Sequence, residues 1–117
     1  MPRRSHTLIL ALAAAGAITF AHPILAAADA GPVPELRFHD GQFEPANVSV
    51  PAGQPLKLKV DNTGASAIEF ESFELNRERV VLPGASITVY IPALTPGVYH
   101  FYDDFHHQGN DGVLTAK

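Results

Sequence analysis

The sequence of 117 residues contains no cysteine. That excludes disulfide bonds, thiolate-bound metal of any kind and a lipid-modified N-terminal cysteine. Methionine is nearly absent as well: Met1 stands alone, so the body of the chain offers no thioether ligand. No helical period is sustained for three turns after residue 31, and no Ser/His/Asp hydrolase signature, phosphate-cradling glycine loop or H-E-x-x-H zinc motif is present. Positive charge is scarce too. From Gly31 onward eleven acids face six bases, a formal charge of −5 before histidines. Such a chain does not attract nucleic acid; a cation or a basic protein surface is the fitting partner.

What is present begins with a short basic start, Pro2-Arg3-Arg4-Ser5-His6, followed by an apolar run from Thr7 to Phe20. Ala28-Asp29-Ala30 then supplies small residues at the spacing a signal peptidase reads. The apolar run is shorter than the roughly 20 residues that span a bilayer, so residues 1–30 read as a cleaved signal peptide that sends the chain to the periplasm. An uncleaved anchor is the competing reading, because Thr7 to Ala28 is interrupted only by His22 and Pro23. Residues 31–117 are then one small domain, with a limited hydrophobic core and no disulfide to support it.

Within that domain, short alternating segments are separated by proline, glycine and asparagine, which is the pattern of an all-β sandwich. Glu35 to Asp40 alternates Leu36 and Phe38 against Arg37 and His39, Asn47 to Val50 puts Val48 and Val50 on one face, and Leu56 to Val60 carries Lys57 and Lys59 outward. Ala67 to Ser72 reads as the next strand, Phe73 to Val81 as a charged edge strand, then Ser86 to Ile91, Val98 to Asp103 and Gly112 to Ala116. The expected fold is a Greek-key β-sandwich of seven or eight strands.

The chemistry gathers in Tyr99 to Gly112, YHFYDDFHHQGNDG. Period 2 puts Tyr99, Phe101 and Asp103 on one face of a strand and Val98, His100 and Tyr102 on the other. If the first face is the core, Asp103 points inward, where a carboxylate is costly unless paired, hydrogen-bonded or bound to a cation. His106 follows three residues later, and Asp104 and His107 lie beside these two. Glu69 and Glu71 are the candidates for further metal ligands from a neighbouring strand. If Ile68 and Phe70 face the core, however, these glutamates face away, and a bulge or a strand end must bring one of them to the metal. His39 and His100 read as surface histidines, Glu78 as an ion-pair partner of Arg77 and Arg79, and Asn110-Asp111 as a turn.

The run Y-H-F-Y-D-D-F-H, a short loop and Gly-Val-Leu resembles the C-terminal copper loop of the cupredoxins, and F-E-P (Phe43 to Pro45) with V-P-A-G (Val50 to Gly53) extends the resemblance over Glu35 to Lys117. It implies that Asp103 occupies the family's cysteine position, His106 its histidine, and Asn110 or Asp111 its axial methionine, with the upstream histidine falling near Glu69. Without thiolate or thioether, the implied donor set is carboxylate and imidazole, which favours Cu(II), Fe(III) or Mn(II) over Cu(I). Glu69-Phe70-Glu71-Ser72, with Leu75 and Arg77 to Val80, resembles the cupredoxin-like periplasmic components of bacterial ferrous-iron uptake systems, of the EfeO and FtrB types. That resemblance implies binding of Cu(II) and of Fe(II)/Fe(III), oxidation of Fe(II) ahead of a membrane iron permease, and a periplasmic iron-binding partner. The alternative it leaves is a non-enzymatic copper or iron carrier; a metal-free interaction module is a third reading, and a dimer pooling ligands from two loops is compatible with the sequence.

Overall fold

The computed structural model describes residues 33–106 and 109–117. The expected signal peptide and His107 lie outside the described residues. Among the described residues nine strands follow one another: β1 Glu35–His39, β2 Gln42–Glu44, β3 Asn47–Val50, β4 Leu56–Asn62, β5 Ile68–Ser72, β6 Arg77–Val81, β7 Ser86–Ile91, β8 Gly97–Asp103 and β9 Gly112–Ala116. They form a four-stranded sheet in the order β2-β1-β4-β7 and a five-stranded sheet in the order β3-β9-β8-β5-β6. Parallel pairings, β1 with β4 and β3 with β9, bring the N-terminal segments into both sheets. The all-β sandwich read from the periodicity is the observed fold.

Two differences from the sequence reading are local. Gln42–Glu44 is a strand of its own, paired Phe38↔Phe43 with β1 across the Asp40-Gly41 turn, and it raises the count to nine. Three residues with one inward side chain are too few to show an alternation. The segment Phe73 to Val81 is also divided: Phe73 to Asn76 is a turn, with Asn76 at φ 50°, and only Arg77–Val81 pairs as the edge strand. Asparagine tolerates that left-handed conformation better than most residues.

The core follows from the alternation. Leu36, Phe38, Val48, Val50, Leu58, Val60, Ile68, Phe70, Val89, Ile91, Phe101 and Leu114 are buried between the sheets. Each such side chain contributes about 1.5–3 kcal/mol on burial. At the centre, Phe43 meets Phe38, Phe70 and Phe101 edge-on, at centroid distances of 4.9, 6.1 and 5.3 Å. Phe70 and Phe101 belong to β5 and β8, so this aromatic cluster fixes the strand pair on which the candidate residues sit. Close approach of β9 to β8 depends on Gly112, since a Cβ there would lie 2.3 Å from the Phe101 ring.

Candidate metal centre

Strands β5 and β8 pair antiparallel, with Phe70 opposite Asp103 and Glu71 opposite Tyr102. Side chains alternate across the sheet, so this register assigns every candidate residue to one of two faces. Phe70, Phe101 and Asp103 point into the sandwich, while Glu69, Glu71, Tyr102 and Asp104 belong to the outer side. The pairing of β5 with β6 runs unbroken from Ile68↔Val81 to Ser72↔Arg77. The bulge that would have swung Glu69 or Glu71 inward is therefore not there, and the described candidates divide, with Asp103 and His106 in one group and Glu69, Glu71 and Asp104 in another.

The inner group is built on Asp103, whose side chain is fully buried. Its Oδ1 accepts the backbone N–H of Glu69 at 2.9 Å and that of Phe105 at 3.1 Å. Its Oδ2 lies 2.7 Å from Nδ1 of His106, whose ring is half exposed. The third member is Asn110, which the sequence offered at the axial position or as a turn residue and not as a clamp. This residue is buried, accepts the Asp103 N–H on Oδ1 at 3.1 Å and donates from Nδ2 to the His106 carbonyl at 2.7 Å. It clamps both ends of the loop that carries the histidine. Position near the expected axial ligand was the available signal, but an amide side chain before Asp-Gly also reads as an ordinary turn.

The outer group consists of Glu69, Glu71 and Asp104, each of which brings one carboxylate oxygen to within 4.8 Å of the others'. Asp104 is placed there by its own backbone: its N–H bonds the Glu69 carbonyl at 3.0 Å, continuing the β5–β8 ladder one residue beyond Asp103. Glu78, opposite Glu71 on β6, joins the same face, since it hydrogen-bonds Glu69 rather than serving only its arginine neighbours. Partial burial, the hydrogen bond and charge of Glu78, and then the charges of Asp104 and Glu71 raise the Glu69 carboxyl above the ordinary carboxylate range. Burial, followed by the charge and hydrogen bond of Glu71, likewise pushes the Tyr102 phenol up. Further along, Glu74 Oε1 meets His100 Nδ1 at 2.9 Å, a contact that holds the Glu74 carboxyl low. Apart from His100, these side chains present one sign of charge.

Comparison with known proteins gives a consistent fold. A family profile described as Cupredoxin-like domain matches residues 8–116. An uncharacterised protein of Rickettsia prowazekii (strain Madrid E) is 34% identical over 83 residues, covering 71% of this chain and 66% of its own length. The chain thus spans just under two thirds of that relative. Among solved structures, dithionite-reduced auracyanin from Roseiflexus castenholzii superposes with a TM-score of 0.61 at 20% identity, over 73% of this chain and 96% of the other. Amicyanin from Paracoccus versutus gives 0.59 at 12% identity over 74% and 83%. A purple cupredoxin from Nitrosopumilus maritimus gives 0.53 at 17% over 72% and 99%.

Proposed function

The chain belongs to the cupredoxin-like domain family, and from that premise we propose that it is a periplasmic copper- and iron-binding protein of a ferrous-iron uptake system that assists oxidation of Fe(II) before an iron permease. A thiolate copper centre does not fit the residues present: there is no cysteine, Met1 is the one methionine, and both oxygens of Asp103 are engaged by the protein itself. Electron transfer of the thiolate type is therefore not part of the reading.

The observation that carries the proposal is the convergence of Glu69, Glu71 and Asp104 on the outer face. Three carboxylates within reach of one ion are a hard, anionic donor set, suited to iron or Mn(II) more than to Cu(I). Crowding supports it as well: burial first and like charge after it raise Glu69, and a cation among the carboxylates relieves the charge. Anionic oxygens favour Fe(III) over Fe(II), so they ease the loss of one electron from bound Fe(II) to an acceptor, here Cu(II) or dioxygen. The signal-peptide reading of residues 1–30 supports the periplasmic address, where an iron-binding partner and a permease would receive the oxidised ion.

Mn(II), a non-redox stand-in for Fe(II), tests the site: its affinity, read by electron paramagnetic resonance, falls at least about tenfold in a Glu69→Gln/Glu71→Gln variant and is unchanged in His106→Gln. Aerobic consumption of Fe(II) by the copper-loaded protein, against a protein-free blank, tests the activity. A rate equal to the blank with both ions bound makes the protein a carrier that hands metal on without oxidising it. Undiminished Mn(II) binding in the double variant removes the outer face from the proposal.

A further inference from the structure

The inner group disagrees with metal coordination by Asp103 in a way that has its own consequence. Two ligand atoms bound to one ion at roughly 2.0–2.1 Å each, subtending 90° or more, stay at least about 2.9 Å apart. Asp103 Oδ2 and His106 Nδ1 are 2.7 Å apart, the separation of a strong hydrogen bond. Oδ1 is committed to two backbone donors, the N–H groups of Glu69 and Phe105. With Asp103 ionised, Oδ2 can only accept, which puts the hydrogen between it and the ring on Nδ1. A neutral imidazole with its proton on Nδ1 carries its lone pair on Nε2. The ring is half exposed although its Asp103 partner is fully buried, and Asn110 fastens the His106 backbone from the other side.

We propose that Asp103 is a positioning residue rather than a ligand: it locks His106 in the Nδ1–H tautomer and presents Nε2 as a single outward imidazole ligand for a borderline divalent ion, Cu(II) or Zn(II). The remaining ligands of that ion come from water or from a molecule that delivers or takes the metal, as suits a handover point. A carboxylate bonded to the far nitrogen of a metal-binding imidazole fixes the ring and raises its basicity. Thiolate chemistry is thus replaced by closure of the interior position with the protein's own hydrogen bonds and by transfer of metal contact to the outer ring nitrogen. The inference stands independently of the Glu69–Glu71–Asp104 cluster.

The Asp103→Asn variant is diagnostic because it reverses one bond and keeps two. Its Oδ1 still accepts from Glu69 and Phe105, which leaves Nδ2 to donate to His106 and forces the ring proton onto Nε2. Long-range 1H–15N spectra of the 15N-labelled protein, at a pH of about 8 where an ordinary histidine is neutral, read the tautomer directly, with His106→Gln identifying the signals. The wild type is expected to show Nδ1 protonated and Nε2 bare, and one equivalent of Zn(II) to shift Nε2. In Asp103→Asn the protonation is inverted and Zn(II) affinity at His106 falls at least about tenfold. An Nε2–H tautomer in the wild type overturns the proposal, and that measurement needs no variant. So does a Zn(II) response confined to Nδ1, which would put the metal between the ring and Asp103, or no response of Nε2 at all.

Discussion

Asp103 and Asp104 are neighbours in the chain with identical side chains, and the sheet gives them opposite fates. The first is fully buried and has an N–H group for each of its bonds, two from the backbone and one from His106. The second is exposed among carboxylates, in a group where Glu69 is held above its ordinary range by partial burial and like charge. One step along a strand separates a carboxylate that holds the fold together from carboxylates whose mutual repulsion the fold tolerates. Crowded like charge is what a bound cation would relieve, whereas a buried carboxylate with both oxygens accepting hydrogen bonds is what a structural anchor looks like.

The comparison breaks most visibly by truncating each aspartate in turn. Asp103→Ala leaves two backbone donors without their acceptor and frees the His106 loop at one end, and at about 1–3 kcal/mol for each unsatisfied group the expected loss is about 3–5 kcal/mol in urea unfolding. Asp104→Ala, from an exposed position, is expected to change stability by no more than about 0.5 kcal/mol. Equal losses from the two substitutions would erase the distinction between the faces.

Much of this arrangement was legible in the sequence, for reasons that particular residues make plain. The alternation of Tyr99, Phe101 and Asp103 against Val98, His100 and Tyr102 requires only a period of two, and Phe101 and Asp103 are buried as that period demands. The outward direction of Glu69 and Glu71 was equally visible from Ile68 and Phe70. What could not be read was whether a bulge intervened, because a bulge adds a residue to one strand without changing composition. Nor could the sequence show that Glu78 reaches Glu69, since that contact depends on the β5–β6 register, or that Asn110 bonds the Asp103 amide seven positions back. Contacts across strands require the fold, whereas faces along one strand do not.

A smaller loss sharpens the inner half of the comparison. Gly112 opens β9 opposite Phe101, two residues after Asn110. A Cβ at Gly112 would meet Phe101 Cε2 and Cζ at 2.3 Å and the Ala46 carbonyl oxygen at 2.9 Å. The ring is fully buried against Phe43 and Phe70 and has no free space to turn into. Gly112→Ala is therefore expected to cost about 2–3 kcal/mol through displaced packing, measurable as a lower urea midpoint. Because the displaced strand carries the end of the Asn110 clamp, the backbone amide signals of Asp103 and Phe105 should move with it. A neutral substitution would show that β9 can shift without disturbing the site.

The outer face yields the smallest effect and the one that depends on pH. A carboxyl whose pKa is higher in the folded than in the unfolded chain binds its proton more tightly when folded, so protonation stabilises the fold. For Glu69 that contribution is complete below the ordinary glutamate value of 4.5 and is lost as pH rises through the higher folded value. Gln at position 69 resembles the protonated acid at every pH and still donates to Glu78. Glu69→Gln should therefore match the wild type in acid and become the more stable of the two as pH climbs to neutrality, seen as a urea midpoint that declines less. Saturating Mn(II) should reverse the order at neutral pH, because a bound cation relieves the wild-type charges and the variant holds the ion less well. If the two proteins kept the same midpoint across the range, with and without Mn(II), the outer carboxylates would be solvated acids, and the contrast between the faces would be one of burial alone.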